Sequence, residues 1–332
     1  MDAKITKKRL GHMLSYDWIK IVALVVALIV AWWFIFSATA TKITPAQEFS
    51  VFNYLGTHSG DKYSDLVRGV KKDKALSYDI LKVNTFDLTV GKSETDTILS
   101  ARLQTNEGDI LFVPHSLEGV DEKTKYPTDG EESYTPTYLQ QFLTGYYYAA
   151  AELDDPENGF LTRMNAYLSP FYHGDLENGE LDESAVKTAF TKRIKKLKDK
   201  RFKTEKQKNA GFQKELARVE QLKKNYFQFL EYLESGVVAL EETFYYVQTY
   251  DGKVEKRTGK YAVNLSPNKN NEKLMDVAYY YKEEEDEDGF THSVPTTENM
   301  CAVVLDVVGN KYEYSIFETV SFLCYLIENY VI

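Results

Sequence analysis

The sequence predicts a mixed α/β fold, built on a parallel sheet, that follows a single membrane-spanning helix. Two observations carry this prediction: residues 49–114 alternate strand-like and helix-like segments, and residues 19–36 form an apolar run of 18 residues with only Lys20 near its start. Strands that alternate with helices of this length are joined by right-handed crossovers and therefore run parallel. An apolar run of this length can cross a bilayer as a helix.

The composition is that of a globular protein with room for one large or two ordinary domains. The chain has 332 residues, of which 43% are hydrophobic and 27% are charged, so it can bury a core and is not disordered as a whole. It contains 25 Tyr and 18 Phe. Because tyrosine has an apolar body and a polar tip, this bias suits sugar or peptide contacts. It also fits a general preference for tyrosine in the proteins of the source organism.

The N-terminal segment is basic, whereas the rest of the chain is acidic. Residues 1–41 hold five basic and two acidic side chains, which leaves 35 basic and 48 acidic ones in the remainder. The remainder therefore carries a net charge of −13, within a total of −10. An acidic body is poorly suited to a polyanion, so we exclude nucleic acid as the main partner.

The flanks of the apolar run predict its orientation. Lys7-Lys8-Arg9 precede the run and no comparable cluster follows it, so the positive-inside rule places residues 1–18 in the cytoplasm. We expect residues 19–38 to be a retained signal anchor in the cell membrane, residues 39–48 a linker, and the body to be extracellular. A cleaved signal peptide is the alternative, because Ala38-Thr39-Ala40 has the small-x-small pattern of a cleavage site.

Five segments form the predicted parallel unit at the start of the body. They are a strand at 49–55, a helix capped by Asp61, a strand at 79–83, a helix at 95–107 and a strand at 110–113. Ligands of such sheets bind beyond the carboxyl ends of the strands. This rule selects Asn53, Tyr54, His115 and Ser116 as candidate binding residues.

The middle of the chain is helical and strongly charged. A helix is predicted at 136–150, opened by a proline, and residues 160–173 have a mixed pattern with a helix-breaking proline. Residues 183–235 carry two apolar stripes at helical spacing, so they form two helices or one kinked helix. Residues 187–208 hold eleven basic side chains. These form a solvated helix face or contact anionic lipids or wall polymers.

The C-terminal third is predicted to be mostly strand. Short strands are expected at 236–240, 243–250, 253–257 and 261–265, with a hairpin turn at Asp251-Gly252. A buried strand at 301–308 and an amphipathic helix at 318–330 close the chain.

The motifs of the sequence do not indicate catalysis, a metal site or a cofactor. The five histidines are scattered, and no zinc-protease, nucleophile-elbow, phosphate-loop or dinucleotide-binding pattern occurs. Asp286-x-Asp288-Gly289, within the acidic run 283–288, is only a fragment of a calcium loop. Two cysteines are too few for a disulfide scaffold. We expect Cys301 and Cys324 to be buried thiols, with a bond between them as the alternative.

Four segments of the body follow one another in an informative order. They are the unit ending in Gly108-Asp109-Ile110, the segment 232–240, the strand at 260–265, and the strand at 301–308 with its following helix. In order and spacing they resemble a bacterial extracellular solute-binding protein of the type 2 periplasmic-binding-protein fold. The resemblance covers most of 49–332. It implies a two-lobed body, with lobe I at about 49–118 and 300–332 and lobe II at about 119–299.

The resemblance also implies where a ligand would bind. The cleft would be lined by Asn53, Tyr54, His115 and Ser116 from lobe I, by Glu242, Thr243 and Phe244 after the strand at 236–240, and by Tyr147 on a facing helix. Aromatic faces with a few hydrogen-bonding groups suit a sugar or a peptide.

The resemblance implies capture or sensing of a small solute, with an ABC transporter permease or another membrane protein as partner. Two features depart from the family. Its members in Gram-positive cells are usually lipid-anchored, whereas this chain has an apolar helix, and the charged region 183–235 occupies much of the second lobe. The alternative is therefore a non-catalytic scaffold for protein–protein or cell-wall interactions.

Overall fold

The structure is a computed structural model of the chain. It describes residues 7–39, 43–88, 92–118, 120, 125–128, 131–286, 288–307 and 315–332. The chain divides into two compact units, Met1–Lys42 and Ile43–Ile332.

The first unit contains one long helix, α1, at Lys7–Thr39. Its segment Trp18–Ser37 is long and apolar enough to cross a membrane, and its side chains are not buried within the protein. A signal sequence near an N-terminus has the same length and composition. The helix begins before the apolar run, so the basic cluster Lys7-Lys8-Arg9 lies in its first turn.

The second unit contains the remaining described elements. Its helices are α2 (Leu66–Lys72), α3 (Lys92–Gln104), α4 (Tyr138–Tyr146), α5 (Phe160–Leu168), α6 (Glu183–Leu197), α7 (Glu205–Glu234), α8 (Glu272–Met275) and α9 (Glu318–Tyr330). Its strands are β1 (Glu48–Asn53), β2 (His58–Ser59), β3 (Lys82–Asp87), β4 (Ile110–Pro114), β5 (Tyr126–Thr128), β6 (Glu131–Tyr134), β7 (Tyr172–His173), β8 (Glu180–Leu181), β9 (Ala239–Gln248), β10 (Val254–Asn264), β11 (Ala278–Glu285), β12 (Thr291–Thr296) and β13 (Met300–Val304).

A mixed sheet of six described strands lies at the centre of this unit, in the order β3-β1-β4-β13-β10-β9. β1 is parallel to both of its neighbours, with Val51 beside Thr85 of β3 and Ile110 of β4. β13, β10 and β9 extend the sheet in antiparallel pairs. The predicted α/β class is therefore confirmed, but only half of the sheet is parallel.

Helices cover both faces of the sheet, because successive strand residues point to opposite sides. Phe49 and Val51 of β1 belong to one core, together with residues of α2, α5, α7 and α9. The Phe49 ring lies 5.1 Å from that of Phe322 in α9. Phe52 belongs to the other core, with residues of α3 and α4. Two helical layers thus enclose the sheet.

A smaller sheet, in the order β12-β11-β2, lies next to the carboxyl ends of the parallel strands. β2 follows β1 after a short turn, and Ser59 of β2 accepts a hydrogen bond from Asn53 at 2.8 Å. Tyr280 of β11 hydrogen-bonds to Ser116, just after β4. The chain itself therefore packs against the sheet edge where the sequence predicts a ligand.

The β9–β10 hairpin is more regular than predicted. β9 is one strand where two short ones are predicted, and β10 likewise spans both of its predicted segments, with a bulge between Lys260 and Ala262. Each strand supplies the other's backbone hydrogen-bond partners along the hairpin. This pairing extends both strands through residues whose local sequence favours a strand only weakly.

The helical region 183–235 is two helices rather than one kinked helix. α6 ends at Leu197, and the next residue, Lys198, has a left-handed conformation with φ of 49°. Gly211 lies inside α7, where a Cβ would come within 2.4 Å of the Phe202 ring. α5 was not predicted, because Pro170 interrupts the helical pattern of residues 160–173. This proline lies just after the end of the helix.

The two-lobed division is not confirmed. Ile43–Ile332 is one compact unit. The strands β9 and β10, assigned to lobe II, lie in the same sheet as β1 and β4, assigned to lobe I.

Candidate functional site

Asn53 and Tyr54, at the carboxyl end of β1, are buried. Asn53 donates to Ser59, and its Oδ1 has no hydrogen-bond partner among the described residues. Tyr54 is 2% exposed, and its hydroxyl donates to Asp96 Oδ1 at 2.9 Å. Burial raises the pKa of Tyr54, and the charge of Asp96 raises it further. Neither side chain faces an open cleft.

His115 and Ser116, which follow β4, lie at a polar cluster. His115 Nδ1 is 2.7 Å from Glu241 Oε1, and Asn264 Nδ2 donates to Glu241 Oε2 at 2.8 Å. The hydrogen bond with His115 lowers the pKa of Glu241. Both oxygens of this carboxylate therefore have a partner. The Ser116 hydroxyl accepts from the backbone N–H of Glu118 at 3.0 Å.

Cys301 lies beside this cluster but is not activated as a nucleophile. Its thiol is buried and unpaired, and it donates to the carbonyl oxygen of Asn299 at 3.5 Å. Burial raises the pKa of Cys301 well above its usual range, and the charge of Glu241 raises it further. A nucleophilic cysteine needs a lowered pKa. Cys324 is also a buried, unpaired thiol, and burial raises its pKa to about 12.

Three predicted cleft residues, Glu242, Thr243 and Phe244, lie in the middle of β9 rather than in a loop. β9 continues through them in its pairing with β10, so the interruption predicted between residues 240 and 243 is not present. Along the strand Glu242 is exposed and Thr243 is buried. The Nζ atom of Lys256 lies 4.2 Å from the centre of the partly buried Phe244 ring.

Tyr147, the eighth predicted residue, follows α4 and stacks on Tyr245 with ring centres 6.0 Å apart. Tyr54 and Phe244, both predicted to line the cleft, pack against different aromatic rings. The structure does bring His115 to β9, where its partner is Glu241, the residue next to the candidate Glu242. Binding of a ligand by these residues stays a prediction.

A pocket of about 550 Å³ lies near the amino end of β3, at the opposite edge of the parallel strands from His115. Its walls are the loop after α2, one face of α7 and the first turn of α9. The α7 residues, Lys214, Ala217, Arg218, Gln221 and Leu222, recur at the three- and four-residue spacing of one helix face. The volume falls within the range of about 300–1,000 Å³ that is typical of small-molecule sites.

A buried ion network supports this pocket. Glu215 accepts from Arg218 at 2.8 Å and from Arg193 at 2.7 Å, and the Tyr78 hydroxyl donates to it at 2.8 Å. Burial by itself would raise the pKa of Glu215, but the charge of Arg218 and the hydrogen bonds from both arginines lower it to about 2. Arg218 also donates to Tyr167 at 2.6 Å.

Asp79 extends the network to the loop before β3. It lies 2.7 Å from Arg201 and 3.2 Å from Arg193, and Arg201 also pairs with Asp199 at 2.7 Å. The predicted strand at 79–83 therefore begins only at Lys82, since Asp79 turns away to these guanidinium groups. Three arginines meet three carboxylates in this network, and buried charges of this kind are tolerated when they are paired.

Glu318, at the start of α9, is a fourth carboxyl group, in addition to the three that meet the arginines. It is 1% exposed, and its Oε2 accepts from the backbone N–H of Ser77 at 3.1 Å. The side chain of Ser77 also hydrogen-bonds to the Glu318 carboxyl group, and both Glu318 Oε1 and Ser77 Oγ are shielded from solvent. Burial raises the pKa of Glu318, and Arg218 offsets only part of that effect.

The pocket therefore combines three kinds of surface. Glu318 and Ser77 supply buried polar atoms, and Lys74 and Lys214 are exposed cations. Leu76, Ala217 and Leu222 supply apolar contacts. Such a surface can hold a small molecule with both polar and apolar parts. A search of the described residues for groups of three or more His, Cys, Asp or Glu side chains able to hold a metal ion finds none.

This pocket was not predicted from the sequence, because the prediction of a solvated helix face or a contact with anionic polymers covers the basic residues of 187–208 and not Glu215 or Arg218. The positions of two residues were a usable signal. Glu215 and Arg218 stand three residues apart, next to Leu216 and Val219 of the apolar stripe. Charges on the apolar side of an amphipathic helix are expected to be buried and paired.

Comparison of the chain with protein-family models, with curated proteins and with solved structures gives no match.

Proposed function

We propose that this protein is a single-pass membrane protein whose body, outside the cell, binds a small polar solute. One observation carries the proposal: a pocket of about 550 Å³ is lined by the exposed cations Lys74 and Lys214 and by the apolar side chains Leu76, Ala217 and Leu222. A lining of this kind suits a small solute with both polar and apolar parts. We propose binding rather than catalysis, because the sequence has no zinc-protease, nucleophile-elbow, phosphate-loop or dinucleotide-binding pattern.

The apolar segment Trp18–Ser37 and the basic cluster Lys7-Lys8-Arg9 support the membrane part of the proposal. Protease added to intact cells should degrade the body and leave a short protected N-terminal fragment. A mature chain that begins at Thr41 and is found in the culture medium would contradict the retained anchor.

A membrane partner follows from the anchored position. A solute held outside the cell would be passed to an ABC transporter permease, or would be sensed together with another membrane protein. Binding in this pocket needs no closure of two lobes, since its three walls belong to one compact unit.

Ligand-dependent stability tests solute binding directly. A ligand that binds only the folded state should stabilise it by about 2.7 kcal/mol at a hundredfold excess over the dissociation constant. Melting of the chain in detergent is measured against sugars, amino acids, short peptides, nucleosides and organic acids. We expect at least one class to raise the melting temperature.

Two tryptophan substitutions on α7 locate the binding site. Ala217→Trp places a large ring in the pocket from an exposed helix position and should abolish the shift. Glu234→Trp is the matched control, at an exposed position about 26 Å along the same helix. An equal shift in both variants would exclude this pocket. If no solute has an effect and the intact chain instead retains a membrane protein or wall polymer, the scaffold alternative replaces the proposal.

A further inference from the structure

We propose that the amino edge of the body, formed by the starts of β1 and β3, docks on anionic lipids of the membrane that holds α1. This inference rests on the anchored position proposed above and not on the solute pocket. Three features carry it. They are a cluster of lysines between α6 and α7, the place where the chain enters the body, and an acidic hairpin at the opposite edge.

The turn between α6 and α7 has a strongly basic surface within an otherwise acidic body. Residues 187–208 hold eleven basic side chains against two acidic ones, Asp199 and Glu205. Arg193 and Arg201 are shielded in the ion network. Six further side chains are exposed and form no ion pair with another described residue, and together they are the lysine patch: Lys192, Lys195, Lys196, Lys198, Lys203 and Lys206.

The ion network holds this turn at the amino edge. Arg201 pairs with Asp79 at 2.7 Å. Two residues further on, the backbone N–H of Leu81 donates to the carbonyl oxygen of Gln47 at 2.8 Å. Gln47 directly precedes β1, and Leu81 directly precedes β3. The lysine patch therefore lies beside the segment through which the chain enters the body.

The entry point limits how far this edge can be from the bilayer. Residues 38–47 separate the apolar segment Trp18–Ser37 from β1. A fully extended chain of that length spans only about 36 Å, so the anchor keeps the amino edge near the lipid headgroups. A lysine close to an anionic surface gains about fivefold in binding. Several such lysines on one tethered body are therefore sufficient for docking.

The opposite edge of the body carries the opposite charge. The small sheet β12-β11-β2 lies at the carboxyl ends of the parallel strands, and its β11–β12 hairpin contains the acidic run 283–288. An anionic surface attracts the lysine patch and repels this hairpin, so both effects favour an orientation with the amino edge toward the lipid. A wall polymer can reach every face of the body, so the agreement between charge and entry point favours lipid.

Acetylation of lysines in the full chain, inserted into nanodiscs, tests the docking. Nanodiscs of phosphatidylcholine are compared with nanodiscs of equal parts phosphatidylcholine and phosphatidylglycerol, and a neutral amine-reactive ester and mass spectrometry report each lysine. The lysine patch should react about threefold or more slowly in the anionic nanodiscs at about 0.1 M salt, and should recover at about 1 M salt, where the charges are screened. Lys269, exposed in the loop after β10 at the carboxyl edge, is the internal control and should react equally in both.

A variant separates the lysine patch from a general effect of charged lipid. It combines four changes at exposed positions: Lys195→Gln, Lys196→Gln, Lys198→Gln and Lys203→Gln. Because these side chains form no ion pair with another described residue, the variant should keep its melting temperature. The remaining Lys192 and Lys206 should lose most of their protection in the anionic nanodiscs. Lys269→Gln is the control variant and should leave that protection unchanged.

The outcomes separate this inference from the proposed function. Insertion is measured first, because a chain that does not enter nanodiscs would contradict the anchor itself. An inserted chain whose lysine patch reacts equally in neutral and anionic nanodiscs would overturn the docking and leave solute binding standing. Protection that persists in the four-lysine variant would also overturn it. Protection by soluble polyphosphate in neutral nanodiscs, with none from anionic lipid, would assign the patch to a wall polymer instead.

Discussion

Glu241 and Glu318 are two shielded carboxyl groups near opposite edges of the same parallel strands, and their pKa values move in opposite directions. The hydrogen bond with His115 lowers the pKa of Glu241, whereas burial raises that of Glu318. His115 and Asn264 hydrogen-bond to the carboxylate of Glu241, whereas Ser77 hydrogen-bonds to the carboxyl group of Glu318. A lowered pKa means that the fold favours the charged carboxylate, and a raised pKa means that burial disfavours it.

The comparison also shows how the edge that a strand-end rule selects can be covered by the chain itself. The carboxyl ends of parallel strands usually border a crevice. Here β2 and β11 pack against that edge, and Glu241 meets the histidine that the rule selects. The pocket instead lies at the amino edge, where three elements converge around an ion network.

The largest expected effect comes from breaking the ion network under the pocket. Arg218→Leu would remove one of the two guanidinium groups that donate to Glu215 and also a donor to Tyr167, and loss of one partner of a buried pair costs about 3–5 kcal/mol. Denaturant unfolding should be followed by tyrosine circular dichroism, because Trp18, Trp32 and Trp33 all lie in α1.

The matched control for this variant is an exposed pair. Lys253→Ala removes a contact of 2.9 Å with Asp251, and both side chains are mostly exposed, so the expected loss is under about 1 kcal/mol. A loss for Arg218→Leu no larger than that of the control would show that the network does not stabilise the fold.

Acid should remove the next largest amount of stability. Glu215 has a folded pKa of about 2 against an ordinary value of 4.5. Because the folded pKa is lowered, the contribution is complete above about pH 4.5 and is lost as the pH falls toward 2. The difference corresponds to about 3 kcal/mol. Melting in detergent between pH 6 and pH 2 measures it, and the slope should be smaller in Glu215→Gln.

At the opposite edge of the sheet, His115→Ala should have an intermediate effect on stability and none on solute binding. It leaves one oxygen of the partly buried Glu241 without its partner, which costs about 1–3 kcal/mol. The dissociation constant of any solute that raises the melting temperature should be unchanged. If binding is lost in His115→Ala but kept in Ala217→Trp, the functional edge is the one that the sequence selected.

Local patterns were sufficient for the elements of the central sheet. The periodicity of residues 49–114 placed β1, α3 and β4, and the last apolar stripe placed α9 within its observed bounds, Glu318–Tyr330. The apolar segment of α1 was equally clear. These signals are local, since each depends on the spacing of apolar residues within one element.

Long-range partners decided what the sequence did not predict. Glu318 and Ser77 are 241 residues apart in the chain, and Arg201 and Asp79 are 122 apart. No local pattern in one sequence indicates such pairings. The same holds for the pairing of β2 with β11, which packs against the predicted ligand edge.

The last prediction applies one isosteric change to both carboxyl groups. Glu241→Gln should lower stability at pH 7, because the lowered pKa means that the fold favours the charged form, and a hydrogen bond to a charged group contributes about 1.5–3 kcal/mol. Glu318→Gln should raise stability slightly, since its raised pKa means that the fold disfavours the charged form.

The pH dependence gives this pair of variants its sharpest test. The gain in stability from Glu318→Gln should shrink as the pH falls toward the ordinary carboxyl pKa of 4.5. The glutamate of the unchanged protein then becomes protonated in the unfolded state as well as in the folded state. The deficit of Glu241→Gln should shrink over the same range, because the unfolded state takes up protons first. Melting curves at pH 7 and pH 4.5 measure both. Two variants that shift stability in the same direction at pH 7 would remove the difference between the two edges.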